Sequence, residues 1–261
     1  MQNCPKCTFK HWVLTKPLKR AKDGRRYFAC GRCGTEILED APFTRVPVSN
    51  LYIDIEVGRA QVSVYDLRVR DGYIPHQHLD HERFIICWSA SWVGDKEIYS
   101  ACVTPKQALN YDDSKVIQPL LKLLEQADVI SGHNVASYDM PMINTRAIQN
   151  GLRPTQAGYK TMDTLRMVRG SELGIRFRFM SNKLDYLAPI CGFRPKDNIT
   201  DSDWRAVQCG DEKALKKILK YNRGDVRNGK GVLESLLGLS NYRIDKYMRK
   251  LSTEAKDKRD E

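Results

Sequence analysis

The chain has 261 residues, of which 41% are hydrophobic and 29% are charged, a composition typical of a globular protein with one substantial core and a small accessory module. Lys and Arg outnumber Asp and Glu by 43 to 32, so the formal net charge of +11 favours a polyanionic partner. No apolar run approaches the roughly 20 residues that a membrane helix needs, and the first residues lack the pattern of a secretory signal or a transit peptide. We therefore expect no membrane association and a cytoplasmic location, in a bacterial cell or in the cytoplasm of a virus-infected host.

Two Cys-x-x-Cys pairs, separated by 22 residues, open the chain. In a cytosolic protein such spacings are typical of metal ligands rather than disulfides, and two pairs complete a closed four-sulfur site for one structural Zn²⁺. The pattern resembles a zinc ribbon, which we predict at residues 1–40, with strands at 10–14 and 25–29. A core this small does not fold without its metal. The predicted zinc ligands are Cys4, Cys7, Cys30 and Cys33.

The ribbon region is strongly basic. Residues 1–47 contain ten Lys or Arg and four Asp or Glu. Basic residues interleaved with aromatic ones suit phosphate contacts and base stacking on single-stranded nucleic acid, and Trp12, Arg25 and Arg26 are the candidates for such contacts. The alternative is a solvated basic face that docks a protein partner. Proline and charge at residues 41–47 predict a linker to a second domain.

The second domain begins with the run LYIDIEV at residues 51–57, a strand of β-formers that carries two acids two residues apart. Strand side chains alternate between faces, so Asp54 and Glu56 emerge on the same side. Burial of two adjacent carboxylates is costly unless a cation neutralises them, and Mg²⁺ or Mn²⁺ suits oxygen ligands. The alternative is an amphipathic strand with one face in water.

The following sequence alternates between strand and helix patterns and predicts an α/β domain. Strands are predicted at 61–69, 84–93, 97–103, 128–131 and 161–165, and helices at 116–127, at 140–149, at 181–187 and from Asp211 onwards. Three histidines, His76, His78 and His81, lie in a polar loop, which explains them as well as a metal site does. Residues 251–261 are dense in charge and predict a frayed tail.

Two further stretches carry polar residues at positions where catalytic residues are common in α/β proteins. Asn134 and Asp139 fall at a strand-to-helix junction. Tyr221 and Asp225 are four residues apart on the last predicted helix and therefore share a face. Asp163 fits either a place near this site or a cap on the turn before Thr164.

A basic, aromatic stretch, Arg176-Phe177-Arg178-Phe179, follows. Arg176 and Arg178 are candidates for nucleic-acid contacts, and the two phenylalanines fit either base stacking or core packing.

Three motifs stand in order along the chain: Asp54-x-Glu56 on the first strand, Asn134-x₄-Asp139 at the junction, and Tyr221-x₃-Asp225 on the last helix. Together they resemble the three exonuclease motifs of the DEDD 3′-to-5′ exonucleases, in the tyrosine-bearing subclass that includes the proofreading domains of family B DNA polymerases. The resemblance covers roughly residues 48–240. It implies an RNase H-like mixed sheet flanked by helices over residues 48–250, preceded by the small zinc-ribbon domain.

The resemblance also implies roles for the matching residues. Asp54, Glu56, Asp139 and Asp225 hold two Mg²⁺ or Mn²⁺ ions, Tyr221 orients the attacking water, and Asn134 supports the second motif. Two metals can stabilise both the attacking and the leaving oxygen of a phosphodiester. The chain departs from the family at Val57-Gly58, where a hydroxyl residue often follows the Glu, and at Tyr138, where Phe is frequent.

The expected function is therefore metal-dependent 3′-to-5′ hydrolysis of single-stranded DNA ends in replication, proofreading or repair, for a polymerase or replication partner supplied in trans. One alternative is a 3′-to-5′ exoribonuclease, because nothing in the sequence reads the 2′-hydroxyl. Another is a non-catalytic zinc-ribbon protein that binds nucleic acid. Four converging carboxylates argue against an inert domain.

Overall fold

The computed structural model describes residues 12–14, 27–38, 49–65, 72–155, 160–170, 177–195 and 198–238. The chain divides into two compact units, Met1–Pro47 and Val48–Glu261. Of the helices in the described part of the chain, none combines the length and the apolar character needed to cross a bilayer.

The first unit contains a three-stranded antiparallel sheet of β1 (Trp12–Leu14), β2 (Tyr27–Cys30) and β3 (Glu36–Leu38), in that order. Trp12 pairs with Cys30 and Tyr27 pairs with Leu38. The sequence predicted the first two strands at 10–14 and 25–29 and missed the third. Residues 15–26, which connect β1 to β2, lie outside the described residues.

The second unit is built on a five-stranded mixed sheet in the order β10-β9-β4-β7-β8. Strand β4 is central, runs parallel to β9 and pairs antiparallel with β7. A separate short pair consists of β5 and β6. The strands are β4 (Asn50–Val57), β5 (Gln61–Val62), β6 (Leu79–His81), β7 (Ile85–Trp92), β8 (Tyr99–Cys102), β9 (Val129–Gly132) and β10 (Lys160–Asp163).

Seven α-helices accompany the sheet within the described residues, and His76–His78 form a short 3₁₀ helix. They are α1 (Pro105–Leu109), α2 (Ser114–Leu124), α3 (Asp139–Gln149), α4 (Thr164–Val168), α5 (Leu184–Ile190), α6 (Asp201–Gln208) and α7 (Glu212–Gly238). Helix α7 has 27 residues and is therefore about 40 Å long at about 1.5 Å per residue. It packs across β4 and β7.

The two faces of β4 belong to two different hydrophobic clusters. Leu51, Ile53 and Ile55 lie in one cluster, which includes residues of α2 and α3. Tyr52 lies in the other cluster, together with Val232 of α7. Period-two alternation places Asp54 and Glu56 on the Tyr52 face. Because α7 covers that face, the interpretation of β4 as a strand with one side in water is wrong.

Glycines in α7 allow this close packing. A Cβ on Gly229 would lie 2.0 Å from the phenol oxygen of Tyr52, and one on Gly231 would lie 2.1 Å from the ring of Phe193. A turn of four helix residues rises about 6 Å, nearly the length of two strand residues. Starting from the contact of Gly229 with Tyr52, one turn back along α7 therefore brings Asp225 level with Asp54.

A buried ion pair fixes helix α3. The guanidinium of Arg146 donates to both carboxylate oxygens of Asp113, at 2.8 and 2.7 Å, and Asp113 also accepts from the backbone N–H of Ile85 at 2.7 Å. Asp113 is fully buried, so these donors offset the cost of burying its charge. The pair ties α3, whose first residue is Asp139, to the start of β7.

Most predicted elements have shifted ends, and three helices were missed. The strand expected at 61–69 covers Gln61–Val62 among the residues described, and the strand expected at 97–103 shortens to Tyr99–Cys102. Helices α1, α4 and α6 were not predicted, although α1 and α6 begin with a capping box, at Thr104 and Thr200. Such short helices show too few turns for a hydrophobic period to stand out.

Candidate active site

Three carboxylates meet between the central strand and the long helix. Asp54 and Glu56 of β4 and Asp225 of α7 each place an oxygen within 4.8 Å of the other two. Asp225 is buried, whereas Asp54 and Glu56 are partly exposed. The first and third predicted motifs, 171 positions apart in the sequence between Asp54 and Asp225, are therefore joined in space.

Asn222 positions the first of these acids. Its side-chain amide donates to Asp54 Oδ2 at 2.7 Å, and the residue is fully buried one turn before Asp225. A charge-assisted hydrogen bond of this kind fixes the orientation of the carboxylate. The sequence interpretation missed Asn222, although its position directly after Tyr221 on a helix predicted to face the site was a usable signal.

The strand bends where it presents Glu56. The pairing of β4 with β7 shifts register between Glu56 and Val57, a bulge of the kind that often lies next to active sites. Gly58 follows, and a Cβ there would lie 2.4 Å from the ring of Phe84. The departure from the family pattern at Val57-Gly58 therefore coincides with a bulge and with close packing on Phe84.

The strand-to-helix junction is held by Asp163. One oxygen of its carboxylate accepts from the backbone N–H of Asn134 at 2.9 Å, and the other accepts from that of Ala136 at 3.3 Å. Asp163 also caps α4 through the N–H groups of Leu165 and Arg166. The capping interpretation of Asp163 is confirmed. Asn134 has a φ of 68°, a left-handed conformation that asparagine tolerates well.

Asp139 lies at the end of this junction as the first residue of α3. It is buried, and it accepts a hydrogen bond from the backbone N–H of Ile55, between Asp54 and Glu56, at 3.2 Å. Burial raises the pKa of Asp139 to about 7, partly opposed by backbone hydrogen bonds. Among the described residues, the cluster of three carboxylates does not include Asp139.

Asp139 nevertheless lies close enough to Tyr138 to affect its pKa, as Asp54 and Glu56 also do. Burial raises the pKa of the neighbouring Tyr138, and the negative charges of Asp139, Glu56 and Asp54 raise it further, against Arg83. The second predicted motif is thus adjacent to the cluster, with Asp139 one hydrogen bond from the strand that carries two of its members.

Tyr221 lies beside Asp225 in a groove along α7. The groove has a volume of about 490 Å³ and is lined by α7 and by Arg194 and Pro195. Both members of the third motif therefore border the same open space.

The remaining candidate residues differ in how the structure places them. Cys30 is buried, and the Cys33 thiol lies 3.1 Å from the hydroxyl of Thr35, in a turn closed by the hydrogen bond from Gly34 N to Cys30 O. Trp12 lies in β1. Cys4, Cys7, Arg25, Arg26 and Arg176 lie outside the described residues.

The aromatic stretch packs inward. The rings of Phe177 and Phe179 stack with centroids 5.4 Å apart and pack against the cluster beneath α7, which supports core packing over base stacking. Arg178 between them is exposed. In the polar loop, His78 bonds to the carbonyl of Ser63 and His81 stacks on Tyr111, which accounts for both rings without a metal.

The chemistry of the donor set fits a divalent cation. Three carboxylates with oxygens within 4.8 Å repel one another unless a positive charge lies among them. Oxygen ligands of this kind are the ones that Mg²⁺ and Mn²⁺ prefer. Asp54, Glu56 and Asp225 could therefore hold such an ion.

Comparison with known protein families shows the superfamily to which the chain belongs. Residues 75–237 match the family described as the RNase_H superfamily, a segment that includes Asn134, Asp139, Tyr221 and Asp225. This is more than half of the chain, and the chain belongs to that superfamily. The mixed sheet with flanking helices is its RNase H-like fold. Strand β4, with Asp54 and Glu56, precedes the matched segment.

One solved structure with a similar fold is the family B DNA polymerase from the hyperthermophilic archaeon Pyrobaculum calidifontis. The TM-score is 0.51 at 19% sequence identity, and the match covers 87% of this chain and 29% of the polymerase chain. The chain therefore spans less than a third of that protein's length. At this identity the likeness concerns the fold. No curated protein matches the chain in sequence.

Proposed function

We propose that the protein is a metal-dependent nuclease that removes nucleotides from the 3′ ends of single-stranded DNA. The observation that carries the proposal is the meeting of Asp54, Glu56 and Asp225 between β4 and α7. Further support comes from Tyr221, which lines a groove together with Asp225, and from Asp139, which accepts from the backbone N–H of Ile55 between Asp54 and Glu56.

Each residue has a distinct task in this proposal. Asp54, Glu56 and Asp225, with Asp139 beside them, hold two Mg²⁺ or Mn²⁺ ions. When bound, these ions lower the pKa of a water molecule and stabilise charge on the attacking and leaving oxygens. Tyr221 orients the attacking water through its phenol. Asn222 keeps Asp54 in place, and Asn134 shapes the turn that leads to Asp139.

DNA is the preferred substrate because the exonuclease motifs resemble those of DNA proofreading domains, and because a solved protein of similar fold is a DNA polymerase. A 3′-to-5′ exoribonuclease is the second candidate, since the same fold and donor set serve both polymers. A replication or repair polymerase is the proposed partner, because the exonuclease motifs resemble those of proofreading domains, and the proposed location is the cytoplasm.

The first unit is proposed to be a zinc ribbon that grips nucleic acid or docks the partner. Its support is the turn at Cys30 and Cys33 on a small antiparallel sheet, with a further Cys-x-x-Cys pair at Cys4 and Cys7. Four thiolates complete a structural Zn²⁺ site.

The direct test uses 5′-labelled single-stranded DNA with either a free or a blocked 3′ end, with RNA and duplex DNA of the same sequence, in Mg²⁺ or Mn²⁺. We expect single-nucleotide shortening of the free DNA and none of the blocked strand. Equal cleavage of the blocked strand would contradict the exonuclease assignment, and preferential shortening of RNA would favour the exoribonuclease.

Metal binding gives a second, independent measurement. Mn²⁺ at a hundred times its dissociation constant should raise the free energy of unfolding by about 2.7 kcal/mol, since it binds the folded site and relieves repulsion among the carboxylates. The shift is measured by urea denaturation with and without Mn²⁺. The matched control is Glu56→Gln, which should lose most of the shift. An equal shift in that variant would place the metal elsewhere.

A further inference from the structure

The groove beside Tyr221 and Asp225 has one strongly basic wall. Lys216, Lys220, Arg223 and Arg227 all line it and all are exposed. Their spacings of four, three and four residues place them on one face of α7. They extend over 11 residues, or about 16 Å. Phosphate groups along a polynucleotide are the polyanion that such a row of cations fits.

The opposite side of the groove adds a fifth cation, Arg194. The buried side chain of Asn228 donates from Nδ2 to the backbone carbonyl of Arg194 at 2.9 Å. This bond ties the segment that carries Arg194 to α7, close to Asp225. The segment that carries Arg194 is therefore held against α7 at the edge of the groove.

Gly224 provides a separate observation. It lies in the interior of α7 and lines the groove between the basic row and Asp225. A Cβ at this position would meet nothing within 4 Å, in contrast to Gly229 and Gly231, which are crowded by aromatic rings. Glycine weakens a helix relative to alanine. Since no neighbouring atom crowds position 224, packing does not explain why a glycine is there. Its bare backbone keeps the floor of the groove open for a close approach.

We propose that this groove binds the phosphodiester backbone of one nucleic-acid strand and leads it to the carboxylates. Arg223 and Arg227 contact successive phosphates, and the strand crosses α7 at Gly224. A volume of about 490 Å³ is in the range of a small-ligand site, so we assign one strand rather than a double helix to the groove. The placement of this strand on the 5′ side of the bond to be cut rests on the proposed 3′-end nuclease activity.

The test measures binding without hydrolysis. The full chain in EDTA is titrated against fluorescein-labelled oligothymidylate by fluorescence anisotropy at several salt concentrations, with oligouridylate and duplex DNA as further probes. In R223Q/R227Q we expect roughly tenfold weaker binding and a salt dependence reduced by about 1.4 in log–log slope, about 0.7 for each lost phosphate contact. The matched control, K106Q/K122Q, removes the same charge from α1 and α2.

Gly224→Leu gives a readout that a structural role would not produce. A Cβ at this position meets nothing within 4 Å and leucine favours a helix over glycine, so thermal stability should stay the same or rise while affinity for the single strand falls. Unchanged affinity in both R223Q/R227Q and Gly224→Leu would overturn the proposal, as would equal weakening in K106Q/K122Q. Stronger loss for duplex than for single strands would overturn the assignment to one strand. If the substitutions weaken the binding of oligouridylate alone, the strand that the groove binds is RNA.

The two proposals can fail separately. Binding is measured without metal. If the chain has no nuclease activity but R223Q/R227Q still weakens binding, the groove proposal stands and the nuclease proposal is rejected. If the chain is an active nuclease but these substitutions leave its binding unchanged, the nuclease proposal stands and the groove proposal is rejected.

Discussion

Asp54→Asn is expected to lower the rate of phosphodiester hydrolysis by roughly a thousandfold or more, with little change in the affinity for single-stranded DNA measured in EDTA. Asp54 is the carboxylate that Asn222 holds at 2.7 Å and that meets Glu56 and Asp225. Asparagine keeps the shape of the side chain but removes its charge. The substitution should therefore weaken metal binding and slow the reaction without destabilising the fold.

The measurement is single-turnover shortening of a labelled oligonucleotide by enzyme in excess. Asp185→Asn, an exposed acid in the first turn of α5, is the matched control and should retain full activity. Residual activity in Asp54→Asn within tenfold of the unaltered chain would show that the three-carboxylate cluster is not the catalytic centre. A melting curve equal to that of the unaltered chain would exclude misfolding as the cause.

The sequence was most informative where short-range pattern and chemistry agreed. The run at 51–57 combines β-formers with period-two alternation, so the strand and the shared side of Asp54 and Glu56 could both be read from it. The four-residue spacing of Tyr221 and Asp225 on a helix was equally local. Both members border the groove because α7 is continuous through them.

What the sequence could not supply was the packing of distant elements. The order of the strands, with β4 at the centre, depends on pairings between segments far apart in the chain. The contact of Gly229 with Tyr52, which sets Asp225 level with Asp54, shows only in three dimensions. Gly224 and Gly229 are the same residue type on the same helix, yet one faces open space and the other an aromatic ring.

The burial of Asp139 was also beyond sequence reasoning, because an acid at the start of a helix is usually exposed. Here α3 is drawn against the sheet by the ion pair of Arg146 with Asp113. The carboxyl group of Asp139 is thereby placed beneath β4, where it accepts from Ile55 and loses contact with water. This environment explains why its pKa is raised.

In the metal-free protein, stability is expected to fall as the pH rises from about 4 to about 7, relative to Asp139→Asn. The pKa of Asp139 is about 7 in the fold, whereas an unfolded aspartate titrates near 3.9. Between these values the folded chain holds a proton that the unfolded chain has released, so raising the pH favours unfolding. The relative loss is at most about 4 kcal/mol, at about 1.4 kcal/mol per unit of pKa, and it levels off above pH 7.

The measurement is urea denaturation in EDTA at pH values across this interval. Asp185→Asn serves as the control, because Asp185 is exposed on α5, outside the carboxylate cluster, and the curve of this variant should parallel that of the unaltered chain. Parallel curves for Asp139→Asn and the unaltered chain would contradict a buried, protonated Asp139. A divalent ion needs this carboxylate deprotonated, so Mn²⁺ should reverse the trend and stabilise the unaltered chain most at the higher pH, an effect that Asp139→Asn should lose.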